Sequence, residues 1–346
     1  MKNIATRVVV SLMFALTIVE ALPAQSVEQP KIGFSLEAVK GERWQTDLDS
    51  FQARAQQLGV KTVWADAKGD DDVQFRQVTE MIKAGIQVLI LLPHDTAKAS
   101  RIVDAAKAAH VKVISYDRLV LNSDVDLYIS FDPVEIGRTQ AEYLITVAPK
   151  GNYVLIEGSP GDANAKVLHD AQMRILQQYI DQGKIKVIAD DYTKDWKPEE
   201  AYLHMLDALN SSKGNIAAVL ASSDALAGGA IQALQEHKLE GKVPVSGQDA
   251  DLLAIIHIIE GTQSMTVYKS IPNQATLAAD EAVRLMRGEE IREDRMAYNG
   301  KKHVPAIMMK GVAVTKDNIR TTVIKDGFQK LDVINAGLPK EKQLAN

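Results

Sequence analysis

Short runs of almost wholly apolar residues alternate with helix-length segments along nearly the entire chain, and this alternation limits the folds open to it. The runs are KIGFSL (31–36), VKTVWA (60–65), VLILL (88–92), VKVISY (111–116), LYISF (127–131), NYVLIEG (152–158), KVIAD (186–190), IAAVLA (216–221), VPVSG (243–247) and SMTVYK (264–269). Between them, 42–58, 71–84 and 96–108 read as helices, and further helices start at Pro133, Asn164, Pro198, Asp224 and Asp251. Strands that are apolar throughout, without alternation, are buried on both faces. Helices linking such strands form right-handed crossovers, so the sheets are expected to be mostly parallel. Gly59, Gly85 and Gly261 stand where helix C-caps are expected, and Pro133 and Pro198 at favoured first-turn positions. About ten strands overfill one open sheet. The expected fold is therefore α/β, with two doubly wound parallel-sheet domains. The pattern breaks at DLYISFDP (126–133), after an irregular acidic stretch at 122–126, and we place a domain crossing near Phe131–Asp132. The segment 301–346 is irregular and short-stranded, as expected of a stretch that crosses back and forth.

Composition narrows the chemistry. The 346 residues carry a net charge of −5 and no cysteine. A mildly acidic chain is not built for nucleic acid. Without cysteine there are no disulfides, no thiol catalysis, no thiolate metal sites and no lipid anchor on an N-terminal cysteine. Residues 1–27 are expected to be a secretory signal peptide. Lys2 and Arg7 precede the apolar run 8–19, which is too short to span a bilayer comfortably, and small residues follow at Ala24 and Ser26. The expected location is the periplasm, with the signal removed and the mature chain soluble.

Ligands of open parallel sheets sit outside the carboxyl ends of the strands. The polar and aromatic residues that follow each run are thus the candidates: Arg43 and Trp44, His94 and Asp95, Asp117 and Arg118, Asp162 and Asn164, Trp196, Ser222 to Asp224, Gln248 and Asp249, and Lys269. Asp and Asn match vicinal hydroxyls, and Arg grips two oxygens at once. Trp offers a flat face to the C–H side of a sugar ring. Two of the chain's three Trp fall in this set, and its charges nearly balance, which suits a neutral polyol. No GxGxxG and no GxxxxGK[ST] phosphate loop is present.

Each candidate also has a plainer reading: Asp117–Arg118 as a surface ion pair, the Trp residues as core, Asp162 or Asp249 as helix caps, His94 as a loop residue. The coincidence at matched strand ends outweighs these. Enzyme signatures are weak. There is no HExxH, and GSPG (158–161) is not a GxSxG nucleophile elbow. Asp70-Asp71-Asp72 lacks the spacing of a calcium loop and is expected to acidify the first turn of a helix. A glycosidase-type acid/base pair among Asp117, Asp162 and Asp249 would be poor, because basic neighbours hold the carboxylates ionised. No metal and no cofactor are expected.

The segments ERWQTDLDSF (42–51), YDR (116–118), DLYISFD (126–132), GSPGDANAK (158–166), ASSDALAGGAIQAL (221–234), VSGQDADL (245–252), GTQSMTVYK (261–269) and TVIKDGF (322–328) resemble the periplasmic sugar-binding proteins of the ribose/galactose type. Within that family they are most similar to the D-xylose-binding members that serve ABC transporters. The resemblance runs over essentially the whole mature chain. It implies two domains joined by three hinge crossings, 28–131 plus 270–302 and 132–269 plus 303–346, which close on one sugar. It carries the sugar contacts onto Arg43, Trp44, Asp117, Arg118, Asp162, Asn164, Trp196, Asp249 and Lys269. One departure is Ser223, which stands where the xylose-binding pattern has Asn. Its shorter side chain leaves either a gap filled by water or room for a somewhat different sugar. The resemblance implies a monomeric, non-enzymatic binder of a monosaccharide, D-xylose first, with an inner-membrane ABC permease as partner. Another pentose or aldose, a sugar sensor docking to a chemoreceptor or kinase, and an exported carbohydrate hydrolase are the competing readings.

Overall fold

The computed structural model describes residues 30–39 and 41–345; the expected signal peptide lies outside the described residues. In chain order the first elements are β1 (Lys31–Leu36), α1 (Gly41–Gln57), β2 (Lys61–Asp66), α2 (Asp71–Lys83), β3 (Val88–Leu91), α3 (Ser100–Ala108), β4 (Lys112–Tyr116) and β5 (Leu127–Phe131). Then come α4 (Pro133–Val147), β6 (Gly151–Glu157), α5 (Ala163–Asp181), β7 (Ile185–Tyr192), α6 (Pro198–Ser212), β8 (Ala218–Ala221), α7 (Asp224–Glu236), α8 (Leu252–Glu260) and β9 (Thr266–Tyr268). The chain ends with α9 (Ile271–Met286), β10 (Arg295–Tyr298), β11 (His303–Met309), β12 (Val312–Val314) and α10 (Leu331–Ala336).

Seven strands form one sheet in the order β10-β11-β5-β4-β3-β1-β2, parallel except for β10. Both faces are covered, which explains the unbroken apolar runs. Val88 and Ile90 of β3 pack with Phe34, Phe51, Tyr116 and α9, while Leu89 and Leu91 pack with Ile102 and Val103 of α3. The second sheet repeats the plan with parallel strands β7-β6-β8. Tyr153 and Leu155 face α4 and α5, and Val154 and Ile156 face α6 and α7. At helix starts, Asp70 accepts from the N–H groups of Asp72 and Val73 at 2.8 Å each, so the acidic triplet caps and acidifies α2.

Two expectations change. The segment 243–247 is not a full strand. It touches β8 through one bridge at Val245, though its backbone bonds to both sides, through Ser246 N–H to Val219 (3.1 Å) and Val267 N–H to Gly247 (3.1 Å). The segment therefore links β8 to β9, and β9 pairs antiparallel with β12. The second change concerns 303–309, which the expected division assigned to the second domain. As β11 it pairs with β5, Ala306 opposite Tyr128, and buries Val304 and Ala306 in the first sheet's core. Pro305 obscures this strand, because proline cannot donate to a ladder and argues against a strand inside a sheet. The chain passes between the sheets after β5, after β9 and after β11.

Candidate functional site

The carboxyl ends of the strands of both sheets face a common cavity of about 460 Å³, a volume typical of small-molecule sites. Eleven of the fifteen strand-end candidates line it: Arg43 and Trp44 from the first turn of α1, Asp117 and Arg118 after β4, Asp162 and Asn164 at the start of α5, Trp196 in the turn after β7, Ser223 before α7, Gln248 and Asp249 after 243–247, and Lys269 after β9. His94, Asp95, Ser222 and Asp224 also follow strands but are not among the lining residues.

The charged groups are paired across the cleft. Arg43 contacts Asp117 on its own side and Asp249 Oδ1 of the other sheet at 3.1 Å. Asp249 Oδ1 also lies 2.6 Å from Lys269 Nζ. Arg118 Nε reaches Asp162 Oδ2 at 2.8 Å, while its Nη1 donates to the Pro93 carbonyl at 3.1 Å. The Arg43 guanidinium carbon stands 4.1 Å from the centre of the Trp44 ring, a cation–π contact. Burial pulls the pKa of Arg43 down, but Asp117, Asp249 and Asp47 more than offset this and raise it. Burial pushes the Asp249 carboxyl up, yet Lys269 and Arg43 hold it below its ordinary value. Asp162 departs from the expectation that basic neighbours keep it below: burial outweighs Arg118 and raises it.

Backbone geometry aims these side chains. Asp117 and Asp249 have φ of 62° and 107°, and Asp195 and Trp196 have φ of 55° and 57°, left-handed values that non-glycine residues adopt at a cost. The Asp117 carbonyl accepts from Tyr128 OH (3.0 Å), Ser130 Oγ (2.7 Å) and Asn164 Nδ2 (2.8 Å), so Asn164 fixes the opposite wall as well as lining it. Asp162 both caps α5, accepting from Asn164 N–H at 2.9 Å, and pairs with Arg118. Asp249 is no cap, since Asp251 occupies the N-cap of α8. Ser223 is one: its hydroxyl accepts from Leu226 N–H at 3.3 Å. Trp196 rests on Gly158, where a Cβ would come within 2.1 Å of the indole Cη2.

Glu37, Asp195 and Asp47 also belong here, beyond the strand-end candidates. Glu37 directly follows β1 and its Oε1 stands 3.5 Å from Arg118. Asp195 and Gln248 line the cavity beside Trp196 and Asp249. Asp47, one turn beyond Arg43, is fully buried, accepts from Tyr116 OH, and is pushed up to about 7 by burial. Among the described residues no cluster of His, Asp and Glu is arranged to hold a metal ion, and no helix is long and apolar enough to cross a membrane.

The family described as the periplasmic binding protein domain matches residues 32–290. The chain is 45% identical to the D-xylose-binding periplasmic protein of Escherichia coli (strain K12), over 89% of this chain and 93% of that one. It is 46% identical to the protein of the same name from Haemophilus influenzae, over 88% and 92%. A carbohydrate transporter solute-binding protein from Chloroflexus aurantiacus, solved in complex with D-glucose, superposes with a TM-score of 0.82 at 30% identity, covering 88% of this chain and 98% of that one. The chain belongs to the periplasmic binding protein family, among its sugar-binding members.

Proposed function

We propose that this protein captures a free aldopentose, D-xylose, in the periplasm and delivers it to an ABC permease of the inner membrane. One observation carries the reading: side chains from both lobes converge on one cavity in which Arg43, Arg118 and Lys269 are matched by Asp117, Asp162 and Asp249. In such a site the cations are already paired with carboxylates, which leaves no free cation for an anionic ligand and many fixed donors and acceptors for hydroxyls. Hydrogen bonds to charged partners are worth about 1.5–3 kcal/mol each. Trp44 and Trp196 supply apolar faces for the ring. The choice of D-xylose is supported by the ligand named for the relatives with 45% and 46% identity.

The lobes we assign are 30–131 plus 270–309 and 132–269 plus 310–345. They close by rotation about the three crossings, and the sugar stabilises the closed form through contacts to both. The protein works as a monomer after removal of residues 1–27, and it binds without catalysis. A thermal-shift panel of aldoses on the mature protein tests this. Saturating D-xylose raises the melting temperature, by about 2.7 kcal/mol of stabilisation at a hundredfold excess over Kd, whereas glucose and ribose at equal concentration do not. No shift with any pentose, or turnover of aryl xylosides, overturns the proposal.

A further inference from the structure

Outside the cavity, the loop after β3 bridges the two lobes. Thr96 donates through both its N–H (3.0 Å) and its hydroxyl (3.1 Å) to the Gly161 carbonyl. Beside it, His94 Nδ1 lies 3.0 Å from Asp71 Oδ1 in the same lobe, and Nε2 lies 3.5 Å from Asp195 Oδ1 of the other. Asp195 is the neighbour of Trp196 in the left-handed turn on the cavity wall, and its N–H donates to Ser159 Oγ at 3.3 Å.

A carboxylate oxygen, one from each lobe, faces each ring nitrogen. Other charged groups nearby are Asp95 in its own loop, Lys98 (2.9 Å from Asp71 and 3.7 Å from Asp95), Arg101, which donates to the Asp71 carbonyl at 2.9 Å and pairs with Asp72, and Lys197 of the other lobe, 3.7 Å from Asp195.

We propose that His94 is a latch residue: its ring ties Asp71 of one lobe to Asp195 of the other and slows reopening of the loaded cleft. The latch rests on the binding reading above for its role in release, while its geometry does not.

Sugar dissociation is followed by stopped-flow tryptophan fluorescence on D-xylose-loaded protein. His94→Gln and Asp71→Asn are expected to release the sugar about two- to fivefold faster than wild type, the scale of one partly exposed ion pair, with association unchanged. A His94→Gln variant that keeps the wild-type release rate, or that alters association instead, overturns the latch. Small-angle scattering of the sugar-free protein is the second arm, in which His94→Gln is expected to be less compact than wild type. If the wild type binds no aldopentose the functional reading fails, and equal compactness of the two proteins then overturns the latch separately.

Discussion

Gly158→Ala isolates the placement of one side chain. A Cβ at this position would lie 2.1 Å from Cη2, 2.2 Å from Cζ2 and 2.6 Å from Cζ3 of Trp196. Carbon atoms sit comfortably at about 3.5–4.0 Å, so the indole must retreat by about 1.4 Å or more. Behind the ring is the Gly158 backbone and ahead of it is the cavity, so the retreat narrows the ligand space. Overpacking of this kind costs about 1–3 kcal/mol. Charged to binding, that is about a 5- to 140-fold rise in Kd. Titration calorimetry with D-xylose reads the effect directly. The control is the same substitution in a Trp196→Ala background, where nothing remains to clash. There Gly158→Ala is expected to add almost nothing, giving a coupling energy nearly equal to the single-variant penalty. Equal weakening in both backgrounds would refute the reasoning, and so would unchanged affinity in the single variant.

Other perturbations probe the charges and the cap. Asp249→Ala leaves Lys269 and Arg43 facing each other across a vacated anion, a loss of about 3–5 kcal/mol; Asp249→Gly loses the same pairing but relaxes the φ of 107°, and recovers about 1–3 kcal/mol. Urea denaturation should rank wild type above Gly above Ala, and a Gly variant less stable than the Ala variant contradicts the strain argument. Ser223→Ala should cost about 1 kcal/mol of stability through loss of the α7 cap, whereas Ser223→Asn, also a good cap, should not; in calorimetry the added carboxamide should change sugar affinity. Glu157 ends β6, is fully buried beside Ser222 Oγ at 2.5 Å, and is pushed by burial from 4.5 up to about 8. Between those values the folded state holds a proton that the unfolded chain has released, so this group makes stability fall as pH rises through the window. Melting curves of Glu157→Gln should be flatter than wild type over the same window, and an unchanged slope would show the group does not titrate there.

Much of this site was legible because the topology does the sorting. In a parallel sheet every strand delivers its carboxyl end to the same side, so the residues just after the runs can be collected without knowing any distance. The runs at 88–92 and 127–131 were legible for a related reason: two-sided burial leaves no polar alternation to confuse them. Glu37 directly follows β1 and is within reach of the same rule. Asp47 is not. In sequence it is one more acidic residue on an amphipathic helix, and its burial depends on Tyr116, 69 positions away. The strand 303–309 is hidden by Pro305, which interrupts an otherwise apolar run with a residue that cannot donate to a ladder. His94 follows a strand as the site residues do, yet it lies outside the cavity lining, a distinction that depends on where the second lobe sits.

The left-handed backbone at Asp117 and Asp249 ties these strands of argument together. Each residue leaves the end of a strand segment, and each N–H turns to a neighbouring strand, Asp117 to the Ile129 carbonyl at 2.8 Å and Asp249 to the Val267 carbonyl at 2.9 Å. Both lobes therefore use the same bend to present a carboxylate to the shared cavity. Glycine would relieve the bend, but it would also remove the partner of Arg43 and, at position 249, of Lys269. Relief of about 1–3 kcal/mol is smaller than the cost of about 3–5 kcal/mol for stranding a buried cation. The strain is held in place by the ion pairs, and the ion pairs are held in register by the bend.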